Sequence, residues 1–429
     1  MFSAGLSEGI WATDIARWLH RRSRVRPNWK LEMMSNRQHP VAIMGLPMNS
    51  LTADDAVEVM DRLVQSGGTH QICPVNVDVW LNSLADPHLH RIMAGCTLVL
   101  ADGMPLVWAS KLLGCPLAER VTGVDLVPRL AALSAQKGYR MFLLGGRPGV
   151  ADRAKELLER MAPGTHIVGT YSPAEENLIR MDHSEILNRI HNASPHILLV
   201  AFGNPKQEKW IWMHRKRLGV PLSMGVGGSF DILVGDTRRA PRWIQRCGLE
   251  WAMRFLQEPA RLGPRYLRDF VGLGRRLPQA LLAAWMQRPY FGPSRFVTSP
   301  APQVVHVEIH GRLGAEMMEP MREAVANAIR NGQVMVVHFN HMRQATAAGF
   351  GVLLDARREL LEAGLSLSLA DLNLKIRFLL HAWRLQPLFD EWQPALLRSR
   401  PLASEVEHPV RLGMAVEQEV VSAQTRTQG

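Results

Sequence analysis

Residues His196–Gly228 read HILLVAFGNPKQEKWIWMHRKRLGVPLSMGVGG. The apolar run His196–Phe202 has the length of a buried strand, and a polar cluster, Asn204-Pro205-Lys206-Gln207-Glu208, follows it directly. Helical spacing then covers Lys209–Leu218, and Leu222–Val226 is a second apolar run that ends in glycines. Strand, helix and strand in that order form the unit of a parallel sheet covered by helices. In such a sheet, ligands collect beyond the carboxyl ends of the strands. The polar cluster and the glycines stand there, so the stretch predicts a fold class and also where chemistry belongs.

The alternation continues in both directions. Further strands are predicted at Val41–Met44, Gln71–Val75, Thr97–Leu100, Tyr139–Leu144 and His166–Thr170. Between them, Ala53–Gln65 carries Ala56, Val57, Met60, Leu63 and Val64 on one helical face, and Val150–Met161 carries Val150, Ala154, Leu157, Leu158 and Met161. An α/β domain with a mostly parallel sheet is therefore expected over residues 39–286. Four X-Pro breaks, at Pro289, Pro293, Pro300 and Pro302, mark 287–303 as a linker. A smaller α/β domain is expected over 304–398, with strands at Val304–Ile309, Val334–Phe339 and Leu365–Ala370. Its helices are expected at Met317–Arg330, Phe350–Ala363 and Leu374–Leu385. Residues 1–38 read as a basic extension in which Ile10–Trp18 could form a helix against a membrane surface, or as residues upstream of a start at Met33 or Met34. Residues 399–429 read as a flexible polar tail.

The chain has 429 residues, 47% hydrophobic and 21% charged, which suits two or three globular domains. A net charge of +11 calls for an anionic partner. No apolar run approaches the roughly 18–20 residues of a membrane-spanning helix, and the start lacks a signal-peptide pattern. Cys73, Cys96, Cys115 and Cys247 form no CxxC pair, which argues against a disulfide framework or zinc ribbon. HExxH, GxSxG, P-loop and DxD motifs are absent, and His88-Leu89-His90 has no carboxylate or cysteine at ligand spacing. No metal and no cofactor are expected. Nucleic acid is not an expected partner either, since neither a reading helix nor an RNA-binding aromatic signature is recognisable.

Several residues stand where chemistry is expected. Asp102 follows the run Thr97–Ala101 and precedes Gly103, so it is placed as a general base; the other reading is a cap for a helix opened by Pro105. The turns at Gly145-Gly146 and Gly227-Gly228 could cradle a diphosphate with backbone N–H groups, or could simply be tight turns. Gln207 could meet a sugar or base edge and Lys206 a phosphate, against a solvated first helical turn. Between Arg238 and Arg276, ten arginines face three carboxylates, interleaved with Trp243, Trp251, Phe255 and Tyr266. That suits a nucleotide diphosphate, an anionic membrane surface or nucleic acid, and a merely solvated basic face is the alternative.

Taken together, Val75-Asn76-Val77-Asp78, Ala101-Asp102-Gly103, Glu119–Leu126 and Leu143–Gly146 resemble the WecG/TagA/CpsF glycosyltransferases, family 26. The later blocks are more specific: Gly203–Trp210, Met224–Asp231, Arg239-Ala240-Pro241, and Glu250-Trp251 through Arg261 to Arg265-Tyr266. The resemblance covers about Val41–Phe270. It implies a Rossmann-like domain that inverts the anomeric centre without metal, moving sugar from a UDP-sugar to a polyprenyl-diphosphate-linked acceptor for a surface or exopolysaccharide. It makes Asp102 the base, with Asn76 and Gln207 beside the sugar. By the same resemblance Gly103, Arg120, Asp125, Gly145, Gly146, Gly203, Pro205, Lys206, Glu208, Gly227, Gly228, Phe230, Asp231 and Arg239 bind substrate. Arg254, Arg261 and Arg265 would close over the diphosphate. Pro74 departs from the pattern, standing where many relatives carry threonine; a different donor sugar, or compensation by Cys73, would follow.

Residues Val305–Gly311, Val334–Phe339, Thr346–Leu354 and Leu365–Ala370 resemble a STAS domain. Thr346-Ala347-Ala348-Gly349 stands where phosphorylated STAS domains have Asp-Ser-Ser-Gly, so the expectation is a constitutive docking module for an unknown protein partner; Thr346 as a substitute acceptor is the other reading. The expected location is cytoplasmic, peripheral to the inner membrane face, through an amphipathic segment Arg261–Trp285. Packing of that segment against the transferase domain is the other reading. A homo-oligomer is left open. The competing functional reading is an interaction protein with a degenerate transferase domain.

Overall fold

The computed structural model describes residues 40–391 apart from 238–239, 242–243, 245–249, 258 and 287–289. The possible helix Ile10–Trp18, Arg239, Cys247 and the tail from 399 lie outside the described residues. The expected alternation folds as one six-stranded parallel sheet of order β4-β3-β8-β7-β5-β6. These strands are β3 His70–Val75, β4 Leu98–Ala101, β5 Arg140–Gly145, β6 His166–Tyr171, β7 Ile197–Ala201 and β8 Leu222–Gly225. The helices α1 Ala53–Ser66, α5 Gly123–Lys137 and α6 Val150–Met161 bury their apolar stripes on one face of the sheet. On the other face lie α2 Val77–Ala85, α3 Pro87–Ala94, α7 His183–Ala193 and α8 Lys206–Leu218. Between β4 and α5 runs α4, Met104–Leu112. Helix starts are set by side chains: Thr52 accepts from Asp55 N while Asp55 accepts from Thr52 N, a reciprocal cap.

The first expected strand does not join this sheet. Pro40–Ile43 (β1) pairs antiparallel with Leu46–Asn49 (β2) through Met44 and Gly45, both at positive φ. Two residues are too few for a crossover, so the two short apolar runs pair with each other. Trp80 Nε1 of α2 donates to Met44 O at 2.9 Å and fixes the hairpin to the domain.

After β8 come the short α9 (Ser229–Leu233), α10 (Glu250–Gln257) and the long α11 (Pro259–Trp285). Beyond them, Arg295–Pro300, within the expected linker, is a strand, β9, antiparallel to β10 Val304–Leu313. Its proline ends an edge strand, where a missing N–H costs no ladder bond. β10 also pairs in parallel with β11 Val334–His338 and, after a register shift at Gly311, with β12 Met342–Ala345; β11 pairs with β13 Leu367–Ala370. Helices α12 Met318–Asn331, α13 Ala347–Glu362 and α14 Leu374–Ala382 complete this part.

The two sheets do not have separate cores. One buried cluster joins Ile43, Leu46, Trp80, Leu89 and Cys96 to Met317, Phe350, Leu353, Trp383 and Leu385. Both lie within one compact unit that runs to Asp390. Gly351 of α13 marks the closest approach: a Cβ there would run into the Pro40 carbonyl oxygen of β1. Along α11, Gly272 meets Leu81 of α2, and Trp383 Nε1 donates to Ala280 O at 3.3 Å, so one helix touches both halves.

Candidate functional site

Because every strand of the large sheet runs the same way, all its carboxyl ends share one edge, and Asn76, Asp102, Gly146, Phe202 and Val226 each leave it there. Asp102 N–H donates to Val75 O at 2.7 Å, which extends the β3–β4 pairing by one residue and holds the half-buried carboxylate beside the end of β3. Next to it, Gly103 faces Asn76: a Cβ would lie 3.7 Å from Asn76 Cβ. Asn76 caps α2, its Oδ1 accepting from Val79 N at 3.0 Å. Asp102 does not cap the following helix; Gly103 occupies that position without a side-chain hydrogen bond.

The segment Glu119–Asp125 is tied along β4 by Val121 N–H to Ala101 O, 2.8 Å. This sets Arg120 beside Asp102. Its Nη1 donates to Glu250 Oε2 at 2.6 Å at the start of α10. Burial works against the Arg120 charge, but Glu250 outweighs it and Asp102 and Asp125 add to the effect, so its pKa is raised. Asp125 accepts from the Thr122 hydroxyl at 2.7 Å in the first turn of α5. At Gly123 a Cβ would stand 3.2 Å from Ser229 Oγ and 3.7 Å from Val226 Cα, which brings the β8 turn against the same crevice. Asn76, Asp102, Gly103, Arg120, Asp125 and the Gly227 turn are thereby gathered together.

Gln207 does not line that crevice with a free amide. It is 5% exposed, its Oε1 accepting from Gly227 N at 2.9 Å and its Nε2 donating to Glu208 Oε1 at 2.8 Å. Gly225 must lack a side chain, since a Cβ would lie 2.6 Å from Gln207 Nε2. Glu208 is buried as well, accepting a second bond from Asn204 Nδ2 at 2.9 Å, and Asn204 Oδ1 accepts from Asn82 Nδ2 at 2.8 Å. Gln207 and Glu208 thus hold the Gly227 turn in place. Gly203 and Pro205 form the turn into α8, and Lys206 turns outward to the Glu176 carbonyl and the Phe202 ring.

Farther along the edge, Gly145 and Gly146 both have positive φ, and Gly146 N–H donates to Ala201 O at 3.0 Å. A Cβ on Gly145 would meet that same carbonyl oxygen at 2.8 Å, so glycine is required there. Phe230, after Gly228, is a fully buried core side chain, not a surface contact. Asp231 is held by Arg147 at 2.8 Å, in a cluster with Arg153 and Asp236.

Arg265 of α11 reaches Asp78, two residues past Asn76 in the first turn of α2, with Nη2 3.0 Å from the carboxylate; Arg268 binds the same carboxylate. Arg265 Nε is buried without a hydrogen-bond partner among the described residues. The side chains of Arg254 and Arg261 lie outside the described residues. Asp78 and Glu250 were not among the predicted contacts. The available signals were the two-residue spacing of Asp78 from Asn76, and Glu250 as one of three carboxylates in an arginine-rich segment.

Cys73 cannot compensate for Pro74. It faces Cys96 in the core, and that neighbouring thiol together with burial raises its pKa well above the usual range. Pro74 itself is tolerated in a central strand because the β3–β8 pairing ends at Ile72. In the smaller sheet, the Thr346 hydroxyl donates to Leu313 O and accepts from Gly349 N, both at 3.1 Å, capping α13. Among the described residues, no helix is long and apolar enough to cross a membrane.

Residues 41–288 match the glycosyl transferase WecG/TagA/CpsF family. The chain is 33% identical over 190 residues to the N-acetylglucosaminyldiphosphoundecaprenol N-acetyl-beta-D-mannosaminyltransferase of Bacillus spizizenii, covering 44% of this chain and 72% of that one. Identity to the protein of the same name from Staphylococcus aureus is 27% over 225 residues, covering 52% and 87%. Among solved structures, the Bacillus cell fate determinant SpoIIAA in its phosphorylated form aligns over its full length with 25% of this chain, at 20% identity and a TM-score of 0.21.

Proposed function

The chain belongs to the glycosyl transferase WecG/TagA/CpsF family, and from that premise we propose that it inverts a sugar from a UDP-sugar onto a polyprenyl-diphosphate-linked acceptor, at the cytoplasmic face of a membrane and with no metal in the transfer step. The relatives' names support an acceptor of the N-acetylglucosaminyl-diphosphoundecaprenol type. The observation that carries the reading is Asp102, held by Val75 O at the strand end beside Asn76 and Arg120.

In this mechanism Asp102 takes the proton of the acceptor hydroxyl as that oxygen attacks the anomeric carbon. The bond from the anomeric carbon to the β-phosphate oxygen breaks on the opposite face, UDP departs, and the configuration inverts. Charge developing on UDP is met by guanidinium groups fixed before the reaction, which avoids reorganisation during the step. Arg265 suits that role: its Nε has no described partner, and its bond to Asp78 can be exchanged for phosphate. The arginines Arg239, Arg254 and Arg261 are assigned to the same clamp, Gly145, Gly146, Gly227 and Gly228 to the donor cleft, and Gln207 and Glu208 to holding the Gly227 turn.

The test pairs binding with turnover. UDP should bind wild type in EDTA, and Arg265→Ala should weaken it by about tenfold or more, the worth of a charged hydrogen bond. Asp102→Asn should bind UDP nearly as wild type while transfer to a lipid-linked acceptor falls about 10²–10⁴-fold, the usual contribution of a base. Normal turnover in that variant removes Asp102 from the mechanism, and no UDP binding by wild type removes the donor assignment.

A further inference from the structure

Away from the transfer crevice, β10 presents His306, Glu308 and His310 at alternate positions on one face, half-exposed, while Val305, Val307 and Ile309 are buried on the other. His341 comes from the turn between β11 and β12. Its carbonyl accepts from Gly311 N–H at 3.2 Å, and its own N–H donates to Asn340 Oδ1 at 3.0 Å, which fixes the turn. Gly311 has φ +87°, and a Cβ there would lie 2.8 Å from Tyr290 Cε1 and 3.0 Å from Pro293 O. The β10–β12 register shifts at this glycine, a bulge of the kind that re-aims neighbouring side chains. One ligand atom each of Glu308, His310 and His341 then lies within 4.8 Å of the other two.

We propose that Glu308, His310 and His341 bind a divalent transition-metal ion of the zinc type on this face of the smaller sheet. His310 Nε2 is 3.2 Å from Glu308 Oε2, about the edge of a tetrahedron with bonds of roughly 2.0–2.1 Å. The same distance serves a simple hydrogen bond. His341 brings the second imidazole: its exposed ring stacks on His310 at 4.4 Å and 11°, so it turns about its Cβ–Cγ bond to aim a nitrogen at an ion shared with His310. Two imidazoles and a carboxylate suit zinc, cobalt or nickel, whereas calcium and magnesium take oxygen donors. Three protein ligands leave a fourth position facing solvent. Near by on the same face, His306 Nδ1 meets His338 Nε2 at 2.9 Å and His338 Nδ1 meets Asp371 at 2.6 Å; these nitrogens are spent on one another and supply a control.

The site is independent of the transferase reading. Tag-free full-length protein is titrated with Co²⁺ while its visible d–d bands are followed, and Zn²⁺ is competed against a chromophoric chelator. One equivalent should bind. Loss of even an outer-shell partner costs about 10–100-fold in affinity, so His310→Ala and His341→Ala should each weaken binding by at least about tenfold, with the circular dichroism of wild type. His306→Ala should bind as wild type. The proposal is overturned by a wild type that captures no ion, by triad variants that bind normally, or by equal loss in His306→Ala, which would mean a diffuse histidine face.

Discussion

Both oxygens of Glu208 accept hydrogen bonds, yet burial pushes its carboxyl up to about 7, further than the donors Gln207 and Asn204 pull it down. The folded chain therefore keeps a proton that the unfolded chain has released between about pH 4.5 and 7. This group favours folding most at low pH, and the advantage is lost as pH rises through 7, of the order of 3 kcal/mol. Asp269, raised to about 6 by burial and then by Asp78, acts in the same direction. Urea unfolding at pH 5 and pH 8 should show the gap between wild type and Glu208→Gln narrowing or reversing at the higher pH; parallel curves would mean that Glu208 does not titrate in this range. Gln207→Ala leaves Gly227 N–H and Glu208 Oε1 without their partner, at about 1–3 kcal/mol for each buried group. Thermal unfolding should report that loss, and the KM for donor should rise more than kcat falls, because Gln207 acts through the Gly227 turn. The place of Asp102 was legible because a polar residue straight after an apolar run marks a strand end, whereas Asn76 was singled out only through the family's blocks. The burial of Gln207 was not legible, because the spacing of α8 says nothing of which side chains point under a neighbouring turn.

At the scale of elements, α11 shows why a helix and its use are separate questions. Helical spacing over Arg261–Trp285 was plain, and its two readings, membrane contact and packing, call on opposite faces. Leu262, Asp269, Gly272, Ala280 and Ala283 are buried, while Leu267, Phe270, Val271, Leu282 and Trp285 are exposed beside Arg268 and Arg275. Apolar side chains flanked by arginine suit the boundary of an anionic bilayer. Leu267→Glu/Leu282→Glu should therefore reduce co-flotation with phosphatidylglycerol liposomes several-fold at unchanged melting temperature, since both side chains are exposed and neither belongs to a core cluster. Equal flotation would assign the exposed stripe to something other than lipid. The β1–β2 hairpin was hidden for a comparable reason: Val41–Met44 has strand composition, and only the two-residue gap to Leu46 reveals that its partner is its neighbour.

At the scale of the molecule, a Pro-rich stretch between two α/β patterns reads as two modules on a tether, yet the apolar cluster passes without a break from Trp80 and Leu89 to Phe350 and Trp383. Contacts between residues 300 positions apart leave no periodic trace, and Gly351 within an apolar helix stretch looks like any other small residue. Its function lies in the contact: backbone meets backbone, α13 against Pro40 of β1, with no room for a side chain. Gly351→Val must push the helix away from the hairpin. Overpacking of this sort costs typically about 1–3 kcal/mol, and helix propensity cannot offset it, because valine gains at most a few tenths of a kcal/mol over glycine in a helix. If the two halves fold as one unit, wild type melts in a single calorimetric transition and Gly351→Val lowers it. A chain ending at residue 286 should melt well below either, having lost the cover of Ile43, Leu46 and Leu89. Two separate transitions in wild type, or a truncated chain as stable as the whole, would mean that the shared core contributes little. The transferase crevice would then owe nothing to the smaller sheet. A single transition instead makes the β1–β2 hairpin, tied to α2 by Trp80 Nε1 and Met44 O and buried in the shared cluster, the joint through which the two sheets fold as one.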